Sequence, residues 1–150
     1  MLSFFKIFVP IFTLLLYSCS AEPAKISPLK SASNDSLYVL VVAQHDSVMP
    51  KTSLMEAQQR QLRQLLDSDK TANKDSILAA LSTLQKGQDA MMAWMNEFKN
   101  TEVDIEHYTP LTDVQIRNYL LQQQTKILNV AALMLNGIAQ ASQILKPKPQ

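Results

Sequence analysis

The chain has 150 residues, with 14 Lys and Arg against 13 Asp and Glu, two histidines and one cysteine. A formal charge of +1 and an aromatic share of 7% leave no basic, aromatic-laced surface for nucleic acid. A single cysteine excludes both an intramolecular disulfide framework and a cysteine-based zinc site, so apolar packing must hold the fold.

Residues 1–18 read as a signal peptide. Lys6 leads into an apolar run from Ile7 to Tyr17, followed by Ser18 and Cys19. The run is shorter than the roughly 20 residues a spanning helix needs, and Pro10 interrupts it. The sequence Leu16-Tyr17-Ser18-Cys19 resembles a bacterial lipoprotein cleavage site. That resemblance implies that Cys19 becomes the mature N-terminus and carries acyl chains that hold the protein at a membrane. Each buried methylene contributes about 0.8 kcal/mol, so several chains make a durable anchor. The alternative is an ordinary secretory signal with an incidental cysteine. Ser20, rather than an acidic residue, follows the cysteine, which by the same resemblance points to the outer membrane of a Gram-negative envelope.

Residues 19–34 contain Pro23, Pro28 and many small polar residues, a composition expected to form a flexible lipidated tether. Loss of residues 1–18 removes Lys6 and leaves a formally neutral chain. Residues 35–145 are expected to form one helical bundle, and 146–150 a disordered tail.

Three long stretches of helical periodicity fill the domain. The first runs Val41, His45, Val48, Thr52, Met55, Gln59, Leu62, Leu66. Pro50 lies in its middle, where it removes an amide and clashes with the preceding turn. Either the helix is kinked and nearly continuous, or it breaks at Pro50 and restarts at the Ser53/Glu56 capping-box pair. The second stretch runs Ile77, Leu81, Leu84, Gln88, Met91, Met95, Phe98, a heptad seam with one polar position. Asn73 is placed to cap it, with Asp75 in the first turn. The third runs Ile116, Leu120, Gln123, Ile127, Val130, Met134, Gly137, Ala141, Ile144. Thr112 and Gln115 form a capping box before it, and Asp113 suits its positive end. Gly87 and Gly137 mark either close helix approaches or tolerated positions. The fold expected is all-α: an antiparallel up-down-up three-helix bundle, or four helices if the first breaks at Pro50.

Counting residues outward from the first turn brings Met49 level with Trp94, Val48 with Met95, and His45 with Phe98. The second connection, which holds His107, lies at the same end. His45, Met49, Met91, Met92, Met95 and His107 therefore gather at one end of the bundle. Thioether and imidazole donors together suit Cu(I). Core packing explains Met91 and Met95 equally by seam spacing, and methionine is a common gap-filler. Met92 lies off the seam. No nucleophile–base arrangement, phosphate loop or helical metal motif accompanies these residues, so no enzyme activity is expected.

The segments His45-Asp46-Ser47-Val48-Met49-Pro50-Lys51 and Met91-Met92-Ala93-Trp94-Met95-Asn96-Glu97-Phe98 resemble a family of small helical lipoproteins of Gram-negative bacteria, often labelled viral A-type inclusion protein-like. The resemblance implies a lipid-anchored, all-helical protein and brings no activity, ligand or catalytic residue with it. The family's pattern has a methionine where this chain has Thr52, which removes one thioether. The functional expectation is a structural or interaction module that presents a helical face to an envelope protein. The alternative is a Cu(I)-binding protein built on the Met/His end.

Overall fold

The computed structural model describes residues 27–68 and 73–146. The expected signal peptide, Cys19 and residues 147–150 of the expected tail lie outside the described residues. Within them are five α-helices and no strand: α1 (Ala32–Val48), α2 (Thr52–Ser68), α3 (Lys74–Glu97), α4 (Ile105–Tyr108) and α5 (Asp113–Leu145). The fold is an all-α bundle. At 33 residues α5 is about 50 Å long. It packs against α1, α2 and α3, while α2 also packs against α3.

Pro50 sits in a single 3-10 turn, Met49–Lys51, that joins α1 to α2. Both expectations for this region hold in part, because the turn breaks the α-helical ladder without opening a loop. The Met49 carbonyl accepts from both the Thr52 amide and, at 2.8 Å, the Thr52 hydroxyl, which closes the turn. Ser53 lies inside α2, one residue past its start, so its expected capping role is not used. The other caps form as expected. The Asn73 side chain accepts from the Ser76 amide at 3.1 Å. The Thr112 amide donates to Gln115 Oε1 at 2.8 Å, and the Gln115 amide donates back to Thr112 Oγ1.

The main core joins Val41 and Val48 of α1, Met55 and Leu62 of α2, Ile77, Leu84 and Met91 of α3, and Ile127, Met134 and Ala141 of α5. Both glycines are close approaches. A Cβ on Gly137 would lie 3.3 Å from the Leu84 backbone, and one on Gly87 3.2 Å from Met134 Cα. Polar residues cross the core in matched pairs. Gln59 of α2 meets Gln88 of α3 at 3.0 Å, and Gln58 donates to Ser142 of α5 at 2.8 Å. The Gln59–Gln88 bond and the contact between Met55 and Gly87 put α2 and α3 within one turn of the register expected from the connection.

The expected tether is too long in one respect. Of residues 19–34, the described part from Ser27 packs on the bundle. Leu29 is buried in a second core with Tyr108, Ile116 and Leu120. Ser31 caps α1, so the helix begins at Ala32 rather than Asp35. Buried Asn34 donates through Nδ2 to the carbonyls of Leu29 and Asp113. Composition missed this because local polar residues fold here only by using partners about 80 positions away.

Candidate functional site

Methionines line a groove between the Pro50 turn and α3. Met49, Met91, Met92 and Met95 all border it, in a volume of ≈ 340 Å³. Side chains three apart eclipse in a 3-10 turn, so Met49 and Thr52 fall on the same side and both face the groove. On α3, Met92 and Met95 are one turn apart and share a face. Met91 is 1% exposed and belongs equally to the core, whereas Met92 is 55% exposed. The remaining walls bring in residues that spacing did not single out: Gln85, Gln88 and the carboxylates of Glu56 and Asp89.

His45 is placed next to this groove rather than in it. It lines a neighbouring space of ≈ 310 Å³ with Trp94, Met95 and Phe98. Its ring stacks on Trp94 at 5.3 Å, and Trp94 stacks on Phe98 at 4.7 Å. A carboxylate only accepts, so His45 Nδ1 donates to Asp46 Oδ1 at 2.8 Å. Its Nε2 is buried without a hydrogen-bond partner. Consecutive residues face different directions on a helix, yet the short Asp46 side chain reaches the adjacent His45 ring.

His107 is a correction to the gathered set. It packs edge-on to Tyr108 at 5.1 Å and against Tyr119 at 4.9 Å, in the second core. It borders neither of the two spaces above. The intervening loop folds through α4, which turns His107 toward the tyrosines. The Tyr108 hydroxyl donates to the Lys99 carbonyl, and the Lys99 amide donates to Tyr119 Oη at 2.8 Å. Burial first, and then the neighbouring tyrosine, pushes the Tyr108 phenol well above its ordinary value of 10, and burial also raises Tyr119. Both groups therefore ionise more readily in the unfolded chain. Their stabilisation is intact below about pH 10 and is lost as pH rises above it. A Tyr108→Phe chain should unfold less steeply with rising alkaline pH than the native chain in urea melts at pH 9 and 11. Identical pH slopes would contradict this assignment.

A second surface was missed by following only the buried seam. Two positions before each seam residue of α5 lies the opposite, outward face. It carries Val114, Leu121, Leu128 and Leu135, every seventh residue, at 64%, 41%, 49% and 46% exposure. Between them stand small or short residues, Asn118, Thr125, Ala132 and Ala139, all exposed. The Thr125 hydroxyl bonds back to the Leu121 carbonyl at 3.0 Å, so its own helix satisfies its polar group. After Arg117, Lys126 is the only charged residue of α5, and it pairs with Glu97 of α3. That pairing, with Gln123 as a second donor, lowers the Glu97 pKa. Apolar residues on both faces make α5 the one described helix long and apolar enough to cross a membrane, with a mean hydropathy of 1.3 over its most apolar 18-residue stretch. The leucine heptad, visible in the sequence, was the signal that could have revealed this face.

Comparison with protein-family models, curated proteins and solved structures finds no match.

Proposed function

We propose that this protein is a membrane-tethered helical bundle whose working surface is the outward face of α5, and that the occupant of this face is a second copy of the chain. The observation that carries this reading is the self-complementarity of the stripe. Place two α5 helices antiparallel, with the two-fold axis between Lys126 and Ile127. Val114 then lies opposite Ala139, Leu121 opposite Ala132, Leu128 opposite Thr125, and Leu135 opposite Asn118. Each bulky residue meets a small or short one, the layering that lets two helices approach closely. An isologous interface requires this self-matching of one patch.

Electrostatics does not oppose the approach, since the stripe is uncharged and Lys126 is engaged by Glu97. The stripe is about 38 Å long and one helix wide. That is narrower than a standard interface of about 800 Å² per partner, so association in free solution is weak. Tethering two copies to one surface raises their effective concentration and offsets this weakness. The lipoprotein-like Leu16-Tyr17-Ser18-Cys19 sequence supports such a tether, and so does the resemblance to lipid-anchored helical proteins.

Both cores are built from residues between Leu29 and Leu145, so a soluble chain from Ser20 to Gln150 retains them. Its mass should rise with concentration in sedimentation equilibrium. A Leu128→Lys chain should stay monomeric with unchanged helical circular dichroism. A wild type that remains monomeric throughout, or a stripe that binds lipid vesicles instead of its own copy, would contradict the reading.

A further inference from the structure

We infer that the methionine groove between the Pro50 turn and α3 is a binding site for a soft monovalent metal ion, with Cu(I) as its natural occupant. Four of the chain's seven methionines border this one groove. Packing accounts for Met91, which is 1% exposed. It does not account for Met92, which is 55% exposed, while Met49 and Met95 pack against the core on one side and border the groove on the other. An apolar side chain gains little from half-burial, and leucine would serve as well in a helix. What methionine adds at such a place is a polarisable sulfur.

The chemistry of the walls selects the ion. Thioethers are soft, neutral donors that favour Cu(I) over hard or borderline divalent cations. The groove offers neither thiolate nor imidazole, so zinc lacks its preferred ligands. No lysine or arginine borders it, whereas the carboxylates of Glu56 and Asp89 do. Those two charges attract a cation while leaving the soft sulfur donors to select which one stays. The donors come from both sides of the groove: Met92 and Met95 from consecutive turns of α3, and Met49 from the 3-10 turn opposite. Pro50 sets that turn and so aims Met49 across the gap. His45 belongs to the adjacent space and His107 to the tyrosine cluster, so neither is part of this site. No residue of α5 borders the groove, which makes the site independent of the self-association surface.

The test uses the Ser20–Gln150 chain, which lacks the Cys19 thiol and so removes a competing soft ligand. Cu(I) is delivered anaerobically from a chromogenic chelator, and transfer to the protein is read from loss of the chelator's colour. One equivalent should transfer, and the thermal transition should rise with metal. Ag(I) should act likewise, and Zn(II) should not. Met92→Leu, a near-isosteric change at an exposed position, should weaken uptake at least about tenfold while leaving the metal-free melt unchanged. A Met49→Leu/Met92→Leu/Met95→Leu chain should take up none, whereas Met134→Leu in the core and Leu128→Lys on α5 should bind as the native chain does. No transfer to the native chain, or equal transfer to Met92→Leu, would overturn the inference. Loss of uptake in His45→Asn with retention in Met92→Leu would also overturn it, by moving the site to the neighbouring space.

Discussion

Replacing Trp94 by alanine is expected to cost the bundle about 3–5 kcal/mol, a fall in melting temperature of about 12–20 °C. The ring is 5% exposed, and it joins three elements. One side stacks on His45 of α1 and another contacts Phe98 just past the end of α3. Its Nε1 donates to the Gln123 carbonyl of α5 at 3.3 Å. Alanine removes the largest side chain in the core and leaves a cavity among elements that cannot collapse together. Trp94→Phe keeps much of the stacking and loses the hydrogen bond, so it should cost clearly less. Thermal or urea melts of both chains check the order. A loss below about 1 kcal/mol for Trp94→Ala would mean that the indole is a surface cover and not a linchpin of the helix junction.

The second large effect is expected at Gly137. A Cβ there would meet Leu84 Cα and the Leu84 amide nitrogen, each at 3.3 Å. Backbone atoms of α3 cannot move aside as a flexible side-chain tip does. Gly137→Ala gains about 1 kcal/mol in helix propensity and spends a similar amount on the tight approach, so its net change should be small. Gly137→Val adds two branched methyls at the same point. It should separate α3 from α5 and cost about 3 kcal/mol, at the upper end of overpacking. At Gly87 the nearest atom, the terminal methyl of Met55 at 2.9 Å, can swing aside, but the Met134 Cα at 3.2 Å cannot, so Gly87→Ala should be no milder than Gly137→Ala. Denaturant melts of Gly137→Ala, Gly137→Val and Gly87→Ala measure the ranking. A Gly137→Val chain as stable as Gly137→Ala would show that the two helices are not locked at this crossing.

The α5 seam was legible because one helix face meets the interior along its whole length. Its nine expected positions are the buried ones, with only Ile144 partly open. The α3 seam was only half legible. Ile77, Leu84 and Met91 are buried as expected, but the other fully buried positions are Ala80, Gly87 and Trp94 rather than Leu81, Gln88 and Met95. The cause is that α3 packs on two neighbours at once. Gly87 and Trp94 serve α5, where closeness and a hydrogen bond matter more than apolar bulk. Gln88 serves α2, where it meets Gln59, and Met95 borders the groove toward the Pro50 turn. A single heptad line records one of those contacts and not the other. The gathering of Met49 with Met91, Met92 and Met95 followed from counting out of the turn, since helical rise is fixed. The separation of His107 did not, because α4 and the tyrosines decide where that loop turns. Asn34 and Leu29 escaped for a similar reason, their partners being remote in sequence.

The central claim, that α5 pairs with its own copy in one antiparallel register, is tested most directly by site-specific cross-linking. Single-cysteine Ser20–Gln150 chains, Thr125→Cys and Leu128→Cys, are mixed and treated with a short thiol cross-linker. Antiparallel pairing sets these two positions opposite each other, so the mixture should yield a cross-linked dimer of one chain of each kind. Leu121→Cys alone should yield little, because its two copies would lie about 16 Å apart along the helix axis. Equal yields from Leu121→Cys and from the mixture, or no dimer from either, would contradict the proposed pairing.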